Sequence, residues 1–418
     1  MNEEPSARVA PGGDKGSDKG SDHDGGKGSD IDYRLLVPFL THVTITQTLI
    51  LIIRITTSYR AIELGLPVLW LGIIATGFAI IPAFTALQVG RWIDRGNDAR
   101  AIWFGSALTC IASIGFWAWP QSAMHLVAYS VLLGFGHMFC MAGHQMLAVR
   151  SGSGRSRETV LGYYMVAASI GQGFGPFVVG WLGGSAAVPP TGYLFAICLF
   201  TASISMLVAV LVRPSRKIAR ARDGNDFVPI GQLLKLRGFT AVMVSSGVTV
   251  TAVDLLVIYL PALGAERHID ASDIGWLLTM RSAAALISRM FYARAIYTFG
   301  RSPLTLASML GSAASFLLLA LPLTLPMMYA VLALLGLAMG IASTLTISGV
   351  VHLAPAEATG TALTLRMTGN RVGQIVFPAL AGLVAAATGV AGILLALGFG
   401  LAASGIAVTM SEPPPPTS

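Results

Sequence analysis

Hydrophobic residues in this 418-residue chain form long continuous runs and do not alternate with polar residues. Residues 35–55 and 68–89 are two such runs, and each has the length of about 20 residues that a helix needs to cross a bilayer core of ~30 Å. Lipid offers no water to backbone amides, so these runs must be helices or strands of a closed barrel. Barrel strands alternate in polarity over about ten residues, so the continuous runs predict helices.

Twelve membrane-spanning helices are predicted in this way, and the fold class is an all-α membrane protein. The composition agrees, because 54% of the residues are hydrophobic and 11% are charged, against about 25% charged in soluble proteins. The predicted spans are residues 35–57, 67–89, 101–119, 124–149, 159–183, 191–212, 239–262, 272–296, 303–321, 327–350, 361–388 and 389–410.

The positions of basic residues predict the orientation. If the N-terminus is cytoplasmic, nearly all loop arginines and lysines fall on the cytoplasmic side, and the outer loops carry only Arg60 and Arg267. This asymmetry predicts a multi-pass protein of the plasma membrane, or of the inner membrane in a bacterium, with both termini cytoplasmic. It also accounts for the net charge of +7 without a nucleic-acid partner.

The polar segments predict the domain boundaries. Residues 1–33 are rich in Gly, Asp and Lys and predict a disordered cytoplasmic tail. The basic stretch 213–238 predicts a cytoplasmic linker between two six-helix bundles, 34–212 and 239–411, and residues 412–418 a second tail.

A repeat supports this division. The segment GQGFGPFVVG begins at Gly171 and GQIVFPALAG begins at Gly373, so Gly, Gln, Pro and Gly recur in order at an offset of 202 (373 − 171). Gly134 and Gly336 have the same offset. Two copies in the same orientation predict two bundles related by a pseudo-twofold axis along the membrane normal, with a cavity between them.

Two motifs carry a family resemblance. The loop GRWIDRGNDAR, residues 90–100, resembles the signature loop Gly-x-x-x-Asp-Arg-x-Gly-Arg-Arg of the major facilitator superfamily, and Gly171-x-x-x-Gly175-Pro176 resembles the antiporter motif of its drug/proton antiporters. The loop departs from the pattern where Asn97 and Asp98 replace a basic pair. The resemblance implies transport by alternating access, with proton-coupled efflux.

The signature loop also implies a gate. In family members its acidic residue stabilises the outward-facing state, which assigns this role to Asp94 with Arg95. We expect Asp94 to accept hydrogen bonds from a helix N-terminus and to pair with an arginine such as Arg150. The alternative is that the loop charges only orient the loop.

The glycines and prolines of the repeat predict a hinge. Gly171 and Gly175 let a neighbouring helix approach closely, and Pro176 bends its helix because it removes one backbone hydrogen bond. Pro378 repeats the device in the second bundle. The alternative is that Gly and Pro are simply common in membrane helices.

Polar residues inside spans are candidates for contact with a substrate, since a charge at the centre of a span costs about 2.5–3.5 kcal/mol. Arginines outnumber the single mid-span aspartate, and arginine binds carboxylates and phosphates through paired hydrogen bonds. A small organic anion or an amphipathic compound is therefore the expected substrate. The substrate-binding candidates are Gln47, Arg54, Asp254, Arg281, Arg366, Asn370 and Gln374.

No GxxxxGK[ST] nucleotide-binding loop occurs, so ATP is not implied and the energy must come from a gradient or from the substrate itself. A proton is the expected coupling ion. Asp254, His137 and His144 are the candidates to carry it, and the sequence does not choose among them. The two histidines could instead be neutral packing residues.

No cofactor, metal or enzymatic activity is expected. Cys110, Cys140 and Cys198 lie in apolar runs without metal-ligand spacing, and no HExxH or GxSxG motif occurs. The expected partners are the substrate, protons and lipid, and the expected state is a monomer. Proton-coupled uptake of a carboxylate, multidrug efflux and a non-transporting sensor remain alternatives.

Overall fold

A computed structural model describes residues 33–150, 155–213, 230–355 and 358–411. Regular structure in these ranges is entirely helical. The helices are α1 (Tyr33–Glu63), α2 (Leu69–Asp94), α3 (Asp98–Ala118), α4 (Ala123–Arg150), α5 (Arg155–Leu182), α6 (Thr191–Leu211), α7 (Ile230–Leu234), α8 (Phe239–Glu266), α9 (Ala271–Met290), α10 (Tyr292–Phe299), α11 (Arg301–Leu319), α12 (Leu325–Leu353) and α13 (Thr359–Ser411).

The twelve predicted spans are confirmed. Ten helices are long and apolar enough to cross a membrane, and α13 contains two spans because Gly389 interrupts it with φ +71°. A left-handed φ of this kind suits glycine, which has no Cβ. The twelfth span is α9, which carries two arginines and is packed between α5 and α12.

The eighth span ends earlier than predicted. The sequence pattern extends it to residue 296, whereas α9 ends at Met290 and α10 begins at Tyr292. The eight residues of α10 are exposed to differing degrees and none is buried. Of the predicted tails and linker, residues 1–32, 214–229 and 412–418 lie outside the described residues, and α7 lies at the end of the linker.

Large apolar side chains cover the outer surface of the bundle. Trp117 is 52% exposed, Phe200 67% and Leu207 69%, on α3 and α6. An apolar surface of this extent is unfavourable in water but matches lipid acyl chains. The molecule is therefore a multi-pass membrane protein.

The repeated glycines make equivalent helix contacts in each half. A methyl group at Gly134 would collide with the carbonyl oxygen of Phe78, and one at Gly336 with the carbonyl oxygen of Arg281. The first contact joins α4 to α2 and the second joins α12 to α9. The partners are offset by 203 (281 − 78), almost the offset of the glycines themselves, so the two halves have the same internal packing.

A second pair of equivalent contacts joins the two halves to each other. Gly180 of α5 lies against Gly275 of α9, and Gly382 of α13 lies against Gly72 of α2. The offsets are 202 (382 − 180) and 203 (275 − 72), so the contacts are related by the repeat. In both places only glycine leaves room for the backbones to meet.

Backbone hydrogen bonds reinforce this junction. The Ala271 N–H donates to the Ala186 carbonyl over 2.9 Å, and the Ser272 N–H donates to the Gly184 carbonyl over 3.2 Å. We call this end of the molecule, which carries the loops 183–190 and 267–270, the closed end. The halves are sealed together there by main chain against main chain.

Candidate functional site

Four side chains form a hydrogen-bonded chain between the two halves. Arg54 Nη1 lies 2.7 Å from Asp254 Oδ1, and Gln374 Nε2 donates to Asp254 Oδ2 over 2.7 Å. Arg371 Nη1 donates to Gln374 Oε1 over 2.9 Å. We call Arg54, Asp254, Gln374 and Arg371 the central network. It connects α1 of the first half with α8 and α13 of the second.

The ion pair of the central network is largely shielded from water. The side chains of Arg54 and Asp254 are 13% and 20% exposed, so water screens them little. Each oxygen of Asp254 accepts a hydrogen bond, which offsets part of the cost of removing the carboxylate from water. Arg54 therefore reaches inward to a partner in the second half.

Phe78 and His137 extend the network into α2 and α4. The guanidinium of Arg54 lies over the Phe78 ring, 5.1 Å from its centroid, and the rings of Phe78 and His137 are 5.5 Å apart. His137 is close enough to Arg371 and Arg54 to interact with both charges. Its Nε2 is buried without a hydrogen-bond partner among the described residues.

A small cavity adjoins Arg54 on the side of the closed end, with enclosed room for about one water molecule. Most of its lining is apolar, and the polar contributions come from hydroxyl groups and Arg54. In the described conformation the cavity is too small for a ligand and would have to widen to admit one. The lining residues are Ile53, Arg54, Thr57, Ser58, Leu71, Ile74, Ala75, Phe78, Ser130, Leu133 and Ile258.

Arg281 is a buried cation without an ionic partner among the described residues. It is 6% exposed, its Nη2 donates to Ser282 Oγ over 2.9 Å, and its Nε has no partner. It is close enough to Asp254 and Arg289 to interact with both charges. Arg289 in turn reaches across to the first half, where its Nη1 donates to Ser169 Oγ over 3.1 Å.

Asn370, Arg366 and Gln47 form no hydrogen bond with the central network among the described residues. Asn370 Oδ1 accepts a hydrogen bond from Ser246 Oγ over 3.0 Å, and Arg366 Nε has no partner in the described part of the chain. Gln47 is buried between α1 and α4, where its Nε2 lies 2.8 Å from the sulfur of Met141. Of the seven candidates, the structure joins Arg54, Asp254 and Gln374 directly.

The two histidine candidates for proton transfer occupy different places. His137 faces the central network through the ring of Phe78. His144 lies in the interior of the first half, where its Nε2 is 2.8 Å from Nδ1 of His42 on α1. Their spacing of seven residues along α4 does not bring them into one site.

Arg150 pairs with an acidic residue of α3, whereas its expected pairing with Asp94 stays a prediction. Arg150 Nη1 lies 3.1 Å from Asp98 Oδ2, and both side chains are buried. Asp98 begins α3, so its carboxylate is favoured by the helix dipole, and its Oδ1 also accepts the N–H of Ala99 over 2.8 Å. The side chain of Asp94 lies outside the described residues, and Arg95 is exposed at the end of α2.

The glycines of the antiporter-like motif face the interior of the first half. Gly171 lies against the carbonyl oxygen of Thr44, and a methyl group at Gly175 would be 2.6 Å from Cβ of Leu51. Both contacts bring α5 close to α1. Helix α5 continues through Pro176 and α13 through Pro378. The hinge role of these residues stays a prediction.

Three residues of these sites are not predicted as contributors by the sequence. Arg371 is absent from the candidates, although it lies three positions before Gln374, a helical spacing that allows contact. Asp98 stands out in the sequence only as a departure from the motif. Phe78 gives no signal, because a phenylalanine in an apolar helix is indistinguishable from packing residues.

Comparison with known proteins identifies the family. A family model described as Major Facilitator Superfamily matches residues 31–265 and 242–418. No curated protein sequence matches the chain significantly.

Several solved structures share the fold. The nucleoside transporter NupG, in a mutant form, superimposes with a TM-score of 0.76 at 11% identity over 91% of this chain and 100% of its own. A bacterial homologue of the human lysosomal transporter Spinster gives 0.67 at 15% identity, over 90% and 94%. The human organic anion transporter MFSD10 gives 0.62 at 15% identity, over 90% and 99%. The chain belongs to the major facilitator superfamily of membrane transporters.

Proposed function

We propose that this transporter carries a small organic anion by alternating access and couples its movement to protons. The observation that carries the proposal is the imbalance of charge in the interior. Asp254 neutralises Arg54, whereas Arg281 remains buried with an unpartnered Nε and no ion pair among the described residues.

An anion would remove that imbalance. A buried guanidinium without a counter-charge is unfavourable, and a carboxylate or phosphate can accept two parallel hydrogen bonds from it. Arg366 and Arg371 add further positive charge on α13. A cationic substrate would meet repulsion from the same groups.

The apolar side chains beside Arg54 favour an amphipathic anion. If the cavity widens during transport, its lining would contact a hydrocarbon or aromatic group, while the anionic end turns toward the arginines. The fold itself does not select the substrate, because NupG is a nucleoside transporter and MFSD10 an organic anion transporter.

The closed end fits the outer side of the membrane. Nearly all loop arginines and lysines lie at the opposite end, which the positive-inside rule assigns to the cytoplasm. The described conformation is then inward-facing, and the glycine contacts at the closed end must separate in the outward-facing state.

The central network supports a specific coupling. Protonation of Asp254 would break its ion pair with Arg54, and Arg54 would then be free to bind an anion. Proton and anion would bind together and travel together, which is symport. The uptake direction follows if the proton gradient is directed inward.

Export is the second candidate. The Gly171 to Pro176 segment resembles the motif of drug/proton antiporters, and that resemblance implies efflux in exchange for protons. The two candidates differ in how an imposed gradient acts. Symport accumulates the anion on the alkaline side, and antiport accumulates it on the acidic side.

Transport into liposomes tests the proposal. Purified protein is reconstituted, a pH gradient is imposed, and uptake is measured for radiolabelled carboxylates and phosphates and for cationic dyes. We expect anion uptake that the gradient drives, and a loss of affinity of about tenfold or more in Arg281→Gln. Arg294→Gln, which changes an exposed arginine of α10, serves as the control. Transport of the cationic dyes alone would contradict the anion assignment.

A further inference from the structure

A second cluster of polar side chains lies in the first half, away from the central network. His42 Nδ1 is 2.8 Å from His144 Nε2, and His42 Nε2 is 2.8 Å from Ser106 Oγ and 3.2 Å from Ser205 Oγ. Thr46 Oγ1 lies 3.3 Å from both His42 Nδ1 and Ser205 Oγ. All five side chains are at most 1% exposed, and they come from α1, α3, α4 and α6.

We assign the neutral pair one tautomer from its hydrogen bonds. With Ser106 Oγ donating to the Ile102 carbonyl over 2.8 Å, Ser106 is assigned as the acceptor of His42 Nε2–H. In neutral His42 the Nδ1 atom is then an acceptor, and His144 Nε2–H must be the donor between the rings. His144 Nδ1 therefore has a free lone pair, and it is buried with no partner among the described residues.

A free lone pair on a buried histidine is a vacant proton site. A proton on His144 Nδ1 would convert His144 to an imidazolium, which would still donate from Nε2 to His42. The chain His144, His42 and Ser106 would keep all its hydrogen bonds. Only the new N–H and its charge would need solvation.

The surroundings do not stabilise that charge in the described conformation. The titratable groups around the pair are Tyr164 on α5, whose ring centroid is 6.4 Å from that of His144, and Cys140 on α4, which contacts Ser106, and His137 interacts with His144 at longer range. Among the described residues, no carboxylate contacts either ring. A proton on the pair would favour a conformation in which water reaches His144.

We propose that the His42–His144 pair is a second proton-binding site, independent of Asp254, and that protonation shifts the transporter away from the described conformation. The inference rests on the proposed alternating access. It does not depend on the identity of the substrate or on the coupling role of Asp254, because the proton itself is the ligand that is tested.

The test uses the distance between two spin labels at the closed end. Labels are attached to cysteines at Gln121 and Leu321, which are exposed and belong to different halves, in full-length protein whose three native cysteines are replaced by alanine. The Asp254→Asn background removes titration of the central carboxylate. Distances are measured by double electron–electron resonance in lipid vesicles between pH 8 and pH 5.

The two conformations should give two distances between the labels. In Asp254→Asn, we expect acidification to change the fraction of molecules at the longer distance by about twofold or more. The change should disappear when His42→Gln or His144→Gln is added. It should persist with His125→Gln, which alters an exposed histidine of α4. Two results would overturn the proposal: a distance distribution in Asp254→Asn that does not depend on pH, or pH dependence that survives both histidine substitutions.

A milder variant covers the case in which either glutamine variant or Asp254→Asn fails to fold. Ser106→Ala keeps both histidines but removes the acceptor of His42 Nε2–H, a bond that is stronger when the pair is charged. The histidine resonances are followed by NMR in protein that is isotopically labelled at histidine and otherwise unsubstituted. We expect His144 and His42 to titrate about one pH unit lower in Ser106→Ala than in the protein with Ser106. Unchanged titration, or no titration of either ring between pH 5 and pH 8 in both proteins, would overturn the proposal.

Discussion

One ion pair, Arg54 with Asp254, joins the two halves at the centre of the molecule. Removal of either charge leaves the other partly buried without its partner, which is more destabilising than loss of both. We predict that Arg54→Gln and Asp254→Asn each lower thermal stability and that the double variant recovers part of the loss. The coupling energy from the cycle should be about 1–3 kcal/mol.

Unfolding of the purified protein in detergent provides the measurement. Arg60→Gln with Glu63→Gln is a matched control pair, because Arg60 and Glu63 also form an ion pair but Glu63 is 40% exposed. Their coupling should be about 0–1 kcal/mol. Strictly additive effects at Arg54 and Asp254 would mean that the pair does not hold the halves together.

Residue-scale contacts are the part of the site that the sequence predicts least well. Polarity inside an apolar span selects Arg54, Asp254 and Gln374, which the structure brings into contact. It could not select Asp98 as a partner of Arg150, since that contact depends on how α3 packs against α4. The His42–His144 contact likewise joins residues 102 positions apart. Periodicity places a side chain on a face of its own helix but does not show which helix lies opposite.

At the scale of helices, the contact between α5 and α9 depends on two glycines. A methyl group at Gly275 would collide with the backbone nitrogen of Gly180. Neither backbone can yield without separating the helices, so we predict that Gly275→Ala holds the closed end apart. The expected result is faster labelling of a cysteine at Ser58, which lines the cavity beside Arg54, by a membrane-impermeant maleimide added from the closed-end side.

Gly162→Ala is the matched control, because this glycine lies in α5 and a methyl group there meets no atom within 4 Å. In protein with Gly162→Ala, the maleimide should react with the cysteine at Ser58 as fast as in protein without the glycine substitution. If Gly275→Ala also labels at that rate, the α5 and α9 contact does not seal the closed end.

At the scale of the whole molecule, sequence and structure agree closely. Hydropathy predicts the twelve spans, including the division of the last long helix at Gly389, because lipid forces every continuous apolar run into a helix. The 202-residue repeat predicts the two equivalent halves. It could not predict the conformational state, since the same sequence must adopt both ends of the transport cycle.

The closed end offers a test of alternating access in the molecule as a whole. The Ala271 N–H donates to the Ala186 carbonyl over 2.9 Å, so the two residues are close neighbours and suit a test by disulfide cross-linking. In protein without the native cysteines, we predict that Ala186→Cys with Ala271→Cys forms a disulfide under oxidation and abolishes transport. Reduction should restore it, and each single cysteine variant should transport under both conditions. The disulfide would hold together the ends of α5 and α9, which must separate if access alternates. Full activity of the oxidised, cross-linked protein would show that the halves do not part at this junction during transport.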